Sequence, residues 1–223
     1  MDREWADLIR TGVYHAFRSL GIEILEMAHF CSTPRFWEWW VQMKLGYGIR
    51  SPYSFAAKEG AGLLIPKGNL IYGETPLLTA YQLLDWSGVP PGSMVVDLSG
   101  GTGKFVFAAN LFKDMKGTGV DILPSFARIN QGIADAMGLT GVRFLCSDFL
   151  TTELWDGDLY YLSGTTFARE TLEEASRWFA HVKSGAAILS LSTPISGDHL
   201  VLEGERVYSF SWGNGHVYLQ KRK

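Results

Sequence analysis

The chain has 223 residues, 47% of them apolar and 19% charged, and a formal net charge of −3. That length holds one domain of ordinary size plus an appendage, not three domains, and the apolar fraction excludes wholesale disorder. Mild acidity argues against a nucleic-acid backbone as the main partner, while two distant cysteines, Cys31 and Cys146, exclude a disulfide framework and suit a reducing, cytoplasmic setting.

Asp2, Arg3, Glu4 and Asp7 precede any apolar run, so the N-terminus does not read as a signal peptide. The longest apolar region, Ile22 to Phe30, is interrupted by Glu23, Glu26 and His29 and does not predict a transmembrane span. Trp5, Leu8, Ile9, Val13, Phe17, Leu20 and Ile24 recur at three- and four-residue steps, the signature of one helix face, with Gly12 and Gly21 as candidate bends. Thr33-Pro34, a capping hydroxyl before proline at the first helical position, predicts a second helix that stops near Gly46. Its Trp37, Trp39 and Trp40 are expected to pack against the rest of the protein. Residues 46–68, rich in glycine and proline, are expected to be a connector or lid. Residues 1–70 thus read as a helical extension and lid, and as a surface for a homo-oligomer.

Residues 71–223 have a different texture. TPLLTAYQLLDWSGV predicts a helix, SMVVDLSG a short buried strand, GKFVFAANLF a helix and GTGVDI a strand. A helix opened by Pro124-Ser125 follows, then the strands VRFLCSDF and DLYYLSGTT, the helix RETLEEASRWFAHV and the strand GAAILSLSTPI. RVYSFSW and HVYLQKRK flank Gly213-Asn214-Gly215, which reads as a hairpin turn. Alternating strands and helices predict an α/β architecture, a mostly parallel sheet with helices on both faces and the hairpin antiparallel at one edge.

Val95-Val96-Asp97-Leu98-Ser99-Gly100-Gly101-Thr102-Gly103 takes a strand through a glycine loop into a helix. Glycine lets the backbone approach a ligand closely. Val106 stands where a dinucleotide fingerprint needs glycine or alanine, and Lys104 lacks the spacing of a phosphate-binding loop. Asp97 repels a pyrophosphate and attracts an ammonium group. Asp121 ends the next strand, where a carboxylate can accept both ribose hydroxyls, and Ser147-Asp148-Phe149 ends the third, offering an acid and an aromatic to an adenine. One such aspartate would read as a turn cap. Three at successive strand ends, with no positive clamp, suit S-adenosylmethionine: an adenosine without phosphates that carries an amino-acid tail.

With these residues the chain resembles the class I S-adenosylmethionine-dependent methyltransferases over residues 70–221. That resemblance implies a Rossmann-like seven-stranded sheet ending in an antiparallel hairpin. Ser99 stands at the first glycine of the family's D-x-G-x-G-x-G, while Gly101 and Gly103 match. More narrowly, the order Tyr72-Gly73-Glu74-Thr75-Pro76, VVDLSGGTGK, SDFLTTELW and a C-terminal Ser-Trp hairpin is similar to the disruptor-of-telomeric-silencing type of non-SET lysine methyltransferase. The similarity implies that Glu74 accepts the cofactor's α-amino group and Thr75 its carboxylate. Asp97 and the loop at Ser99, Gly101 and Gly103 then line the methionine end, beside Tyr72. Asp121 meets the ribose, and Asp148 and Phe149 the adenine.

That type has asparagines after its fourth strand, where the acceptor enters; here Tyr161-Leu162-Ser163-Gly164-Thr165-Thr166-Phe167 has none. Tyr161, Ser163 and Phe167 are the catalytic candidates, with Thr165, Tyr53 and Tyr72 beside them. One of Tyr160 and Tyr161 must pack in the core, since neighbours on a strand face opposite ways. The expected reaction is methyl transfer to an amine, of a protein lysine or of a small molecule. A non-catalytic cofactor-binding module is the alternative. The five histidines show no ligand spacing, so no metal is expected.

Overall fold

The computed structural model describes residues 3–48, 52–60 and 73–223, with side chains from residue 17 onward except that of residue 55. Three helices come first: α1 (Arg3–Phe30), α2 (Pro34–Tyr47) and α3 (Pro52–Gly60). The remainder alternates as α4 (Leu77–Ser87), β1 (Met94–Asp97), α5 (Lys104–Lys113), β2 (Lys116–Asp121), α6 (Pro124–Ala136), β3 (Val142–Cys146), β4 (Leu159–Leu162), α7 (Arg169–Phe179) and β5 (Ala187–Leu191). The long strands β6 (Leu200–Phe210) and β7 (Gly213–Arg222) complete it.

The seven strands form one sheet in the order β3-β2-β1-β4-β5-β7-β6. β1 to β5 are parallel, and β7 inserts antiparallel between β5 and β6. The order reverses between β1 and β4, so the loops leaving these two strands diverge and open a crevice at their carboxyl ends.

Period-2 alternation sorts each strand between two cores. Val95, Leu159, Tyr161 and Leu189 face α4, α5 and α6, whereas Val96, Tyr160, Leu162 and Ile188 face Trp178 and Phe179 of α7. Tyr160 is the packing tyrosine: its hydroxyl donates to the Leu154 carbonyl and accepts from the Gly157 amide. Phe30, Phe36, Trp39, Tyr47 and Ala56 of the N-terminal helices join the first core. Trp39 is buried there, and Trp37 is the most exposed of the three α2 tryptophans.

Four local expectations need correction. α1 runs unbroken through Gly12 and Gly21. The Thr33 side chain does not cap α2; its carbonyl accepts from the Phe36 amide instead. The connector contains α3, which Pro52 starts and Ala56, Ala57, Lys58 and Glu59 sustain as helix formers. The hairpin turns at Ser211-Trp212, and Gly213, Asn214 and Gly215 already pair with β6. The Trp212 indole supplies the reason. It stacks on Phe210, and a Cβ on Gly73 or Gly215 would lie 2.9 Å from it, so these glycines make room for a ring rather than bend the chain.

Candidate active site

A cleft of about 490 Å³ opens at the carboxyl ends of β1, β2, β3 and β4. That is within the range of cofactor pockets. Glu74, Thr75, Asp97, Ser99, Gly101, Asp121, Asp148, Phe149, Tyr161, Ser163 and Phe167 all border it. Gly103 does not: it caps α5 at φ +73, and a Cβ there would lie 2.7 Å from the Phe144 ring, so its role is helix–strand packing. Tyr72 lies outside the described residues. Tyr53 is on α3, where its hydroxyl donates to Ser211 Oγ at 3.2 Å, and it is not among the lining residues.

The three aspartates share one local device. Each accepts, through Oδ1, the amide two residues on: Asp97 from Ser99 at 3.1 Å, Asp121 from Leu123 at 2.8 Å and Asp148 from Leu150 at 3.0 Å. The turn-cap reading thus holds for all three aspartates, each cap using one carboxylate oxygen. Asp121 Oδ2 also accepts the Gly101 amide at 2.8 Å, tying the glycine loop to β2. The loop is held from behind too: Asn130 donates to the Gly101 carbonyl at 2.7 Å and receives the Tyr47 hydroxyl of α2 at 2.8 Å. Burial pushes Asp97 up to about 7 and Asp121 up to about 6.

Ser99 keeps a negative φ, so serine serves there as well as glycine. It adds a clasp, since its Oγ accepts the Ser163 amide at 2.8 Å and joins the glycine loop to the turn after β4. Tyr161 is buried, its ring stacked on Phe105 at 4.4 Å and its hydroxyl hydrogen-bonded to Thr75 Oγ1 at 2.8 Å. Burial raises its pKa, so the phenol keeps its proton at neutral pH. Phe167 and Phe149 lie nearly parallel, at 10°, with ring centres 6.4 Å apart.

The cleft also holds a cation, correcting the expectation of carboxylates without a positive clamp. Lys104, the first residue of α5, lies 3.3 Å from Glu74 Oε1, which also accepts Thr102 Oγ1 at 2.8 Å. Burial alone would lower the lysine's pKa, but Glu74, Glu26 and Glu23 outweigh it and hold the ammonium charged. The position just past G-x-G was the available sequence signal. Glu74 is fixed by the hairpin: its amide donates to Ser211 Oγ at 3.0 Å, and its carbonyl accepts the Ser211 amide at 3.1 Å.

Two further acids come from the N-terminal helices. Neither α4 nor α6 has a side-chain cap of its own. Glu26 of α1 accepts the Leu78 amide at 3.3 Å, in the first turn of α4. Glu59 of α3 accepts the Ser125 amide at 3.1 Å, in the first turn of α6, and bonds the Ser125 hydroxyl. These caps sit just beyond the segments that carry Glu74 and Asp121. Among the described residues no cluster of metal-ligand type occurs, and no helix is long and apolar enough to cross a membrane.

No protein-family model and no curated protein matches the sequence. Solved structures do. TrmN from Thermus thermophilus is similar at 19% identity and a TM-score of 0.58 over 70% of this chain and 52% of that one. An RNA methyltransferase from Salinibacter ruber, solved with S-adenosyl-L-homocysteine, is similar at 17% identity and a TM-score of 0.55, over 67% of this chain and 94% of that one. The [4+2]-cyclase SpnF is similar at 14% identity and a TM-score of 0.55, over 77% and 92%. This chain thus spans about half the length of TrmN. The fold is the Rossmann-like methyltransferase fold, and SpnF illustrates that it carries other chemistry as well.

Proposed function

We propose that the protein is an S-adenosylmethionine-dependent methyltransferase acting on an amine. One observation carries the reading: the carboxylates of Glu74, Asp97, Asp121 and Asp148 converge on one cleft, with Lys104 the one lysine among its described lining residues, at the Glu74 end. A pyrophosphate would meet negative charge along that wall, whereas a cationic, zwitterion-tailed nucleoside meets its complement. In this reading Asp121 accepts the ribose hydroxyls, Asp148 takes the adenine amino group and Phe149 covers the base. Glu74 takes the α-ammonium, and Lys104, with Thr75, takes the α-carboxylate. Tyr72 is assigned to the same end from sequence. The bound cofactor would supply a sulfonium leaving group, so the protein's own work is alignment and exclusion of water.

The acceptor enters between Tyr161, Ser163, Phe167 and Trp212, an uncharged wall that favours a neutral over a protonated amine. Residues 1–70 act as an extension and lid on the 71–223 domain. Ala56 borders the cleft and Glu59 caps α6, which supports a covered site and hence a small-molecule acceptor. The motif order around Tyr72, Asp97, Asp148 and Trp212 supports the other acceptor class, a protein lysine.

Titration calorimetry with S-adenosylmethionine and with NAD tests the cofactor; tighter binding of NAD rejects the reading. Labelled-methyl transfer to lysate proteins or to filtered metabolites separates the two acceptors. Tight cofactor binding without transfer to either identifies a non-catalytic module.

A further inference from the structure

α1 is turned inside out. Its charged residues in the described part, Arg18, Glu23 and Glu26, all face the protein. Arg18 donates to the Phe210 carbonyl at 2.9 Å and to Ser209 Oγ at 2.7 Å. Glu23 pairs with Lys44 at 2.6 Å and accepts Trp40 Nε1 at 3.0 Å. Glu26 is buried at α4. The outer face instead carries Phe17, Leu20, Ile24 and Leu25, at 71, 54, 56 and 60% exposure. A helix on the surface of a lone globular protein has the opposite arrangement.

α2 extends this face. Trp40 and Lys44 both grip Glu23, so Ile24, one residue further round α1, and Val41 and Leu45, one further round α2, emerge on the same side of the helical hairpin. Val41, Leu45 and Trp37 are exposed as well. At ~150 Å² per large apolar side chain these residues present roughly 600 Å² of apolar surface. That reaches the upper end for a monomer's largest patch, and with a polar rim it approaches the ~800 Å² per partner of a stable interface.

Gly21 is a second, independent observation. A glycine inside a helix is destabilising, a cost that close packing against it can offset. Yet a Cβ on Gly21 would meet nothing within 4 Å. Exposed Ala28 repeats the small residue two turns on, along the same face. The two make a shallow groove beside the Phe17–Ile24 ridge, shaped for the backbone of an outside helix.

We propose that this face is a homodimer interface in which α1 packs antiparallel on α1 of a second copy, with the two-fold axis near Ile24 and Leu25. The symmetry places Gly21 of one copy opposite Ala28 of the other, so small residues meet and the two helix backbones approach closely. Between residues 17 and 32 the face exposes no charged side chain, and on α2 the exposed Arg35, Glu38 and Lys44 accompany Trp37, Val41 and Leu45. Its apolar centre therefore offers little to a charged partner and is covered best by an equally apolar surface. An identical apolar face is its complement.

Sedimentation analysis of the full chain tests this. The expected result is a dimer, with Ile24→Lys and Leu25→Glu each raising the dissociation constant at least tenfold while helical circular dichroism and the thermal transition of the variant monomer stay intact. Should Ile24→Lys misfold, Leu25→Cys in a Cys31→Ser, Cys146→Ser background provides a separate readout. It should form a disulfide-linked dimer under mild oxidation, whereas cysteine at exposed Glu38 should not. A wild-type chain that stays monomeric up to ~100 μM overturns the proposal. So does a dimer indifferent to both substitutions, or a monomer that instead floats with neutral phosphatidylcholine vesicles.

Discussion

The two ends of the cleft are built in opposite ways. At the nucleoside end Asp121 and Asp148 are held by backbone amides two residues away, and Asp121 by the glycine loop as well. Two of those bonds are local, closed over two residues, and the Gly101 bond ties β2 to the glycine loop. At the other end the Glu74 carboxylate is held by two side chains, Lys104 from α5 and Thr102 from the loop, in an ion pair that, in the proposed reading, an incoming zwitterion opens. One end is preorganised; the other exchanges an internal ion pair for two external ones. In the proposed reading the first would support affinity for any adenosine, and the second would decide which tail is accepted.

Asp121→Ala strikes the preorganised end and should have the largest effect. It removes the ribose partner and frees the Gly101 and Leu123 amides, so cofactor affinity should fall on the order of 100-fold or more by calorimetry. Lys104→Met strikes the other end. Affinity for S-adenosylmethionine should drop about tenfold, with almost no change for a decarboxylated analogue. An equal loss for both would erase the distinction between the ends.

Proton linkage sharpens the contrast. Burial raises Asp97 to about 7 and Asp121 to about 6, so both carry protons in the ligand-free protein at pH 5 and must shed them to meet a cationic ligand. Affinity should therefore rise from pH 5.5 to 7.5, with proton release visible in buffers of different ionisation heat. Asp97→Asn should flatten the upper part of that rise. The ligand-free fold shows the converse: its stability should decline between pH 4 and 7, because the folded state holds protons that the unfolded chain has already lost. Smallest of all, Glu59→Gln weakens a cap borrowed from α3. It should cost ~1 kcal/mol by denaturant titration and loosen the nucleoside end alone.

Much of this site was legible because its pieces are local. Asp97, Asp121 and Asp148 stand at strand ends that alternation of strands and helices reveals, and the glycines between β1 and α5 mark a loop that comes close to a ligand. Lys104 was passed over for a spacing reason. It fails a phosphate-loop pattern, and nothing in its neighbourhood says that Glu74, thirty residues away, will meet it. The hairpin turn was misplaced because Gly213, Asn214 and Gly215 carry the residues of a tight turn, and only the packed Trp212 ring explains the use of Gly215 within a strand.

Glu26 and Glu59 mark the same limit from another side. Each looks like an ordinary helix acid, and each is a cap for a helix far along the chain. What the sequence by itself determined is the alternating strands and helices from α4 onward, their mostly parallel sheet and the three acids at the strand ends, since hydrophobic periodicity and two-residue turns act over short stretches. Tertiary structure alone decided which charges meet, which tyrosine is buried against Phe105 and which helix face is left uncovered. Those outcomes depend on distances between residues that the chain separates and the core brings together.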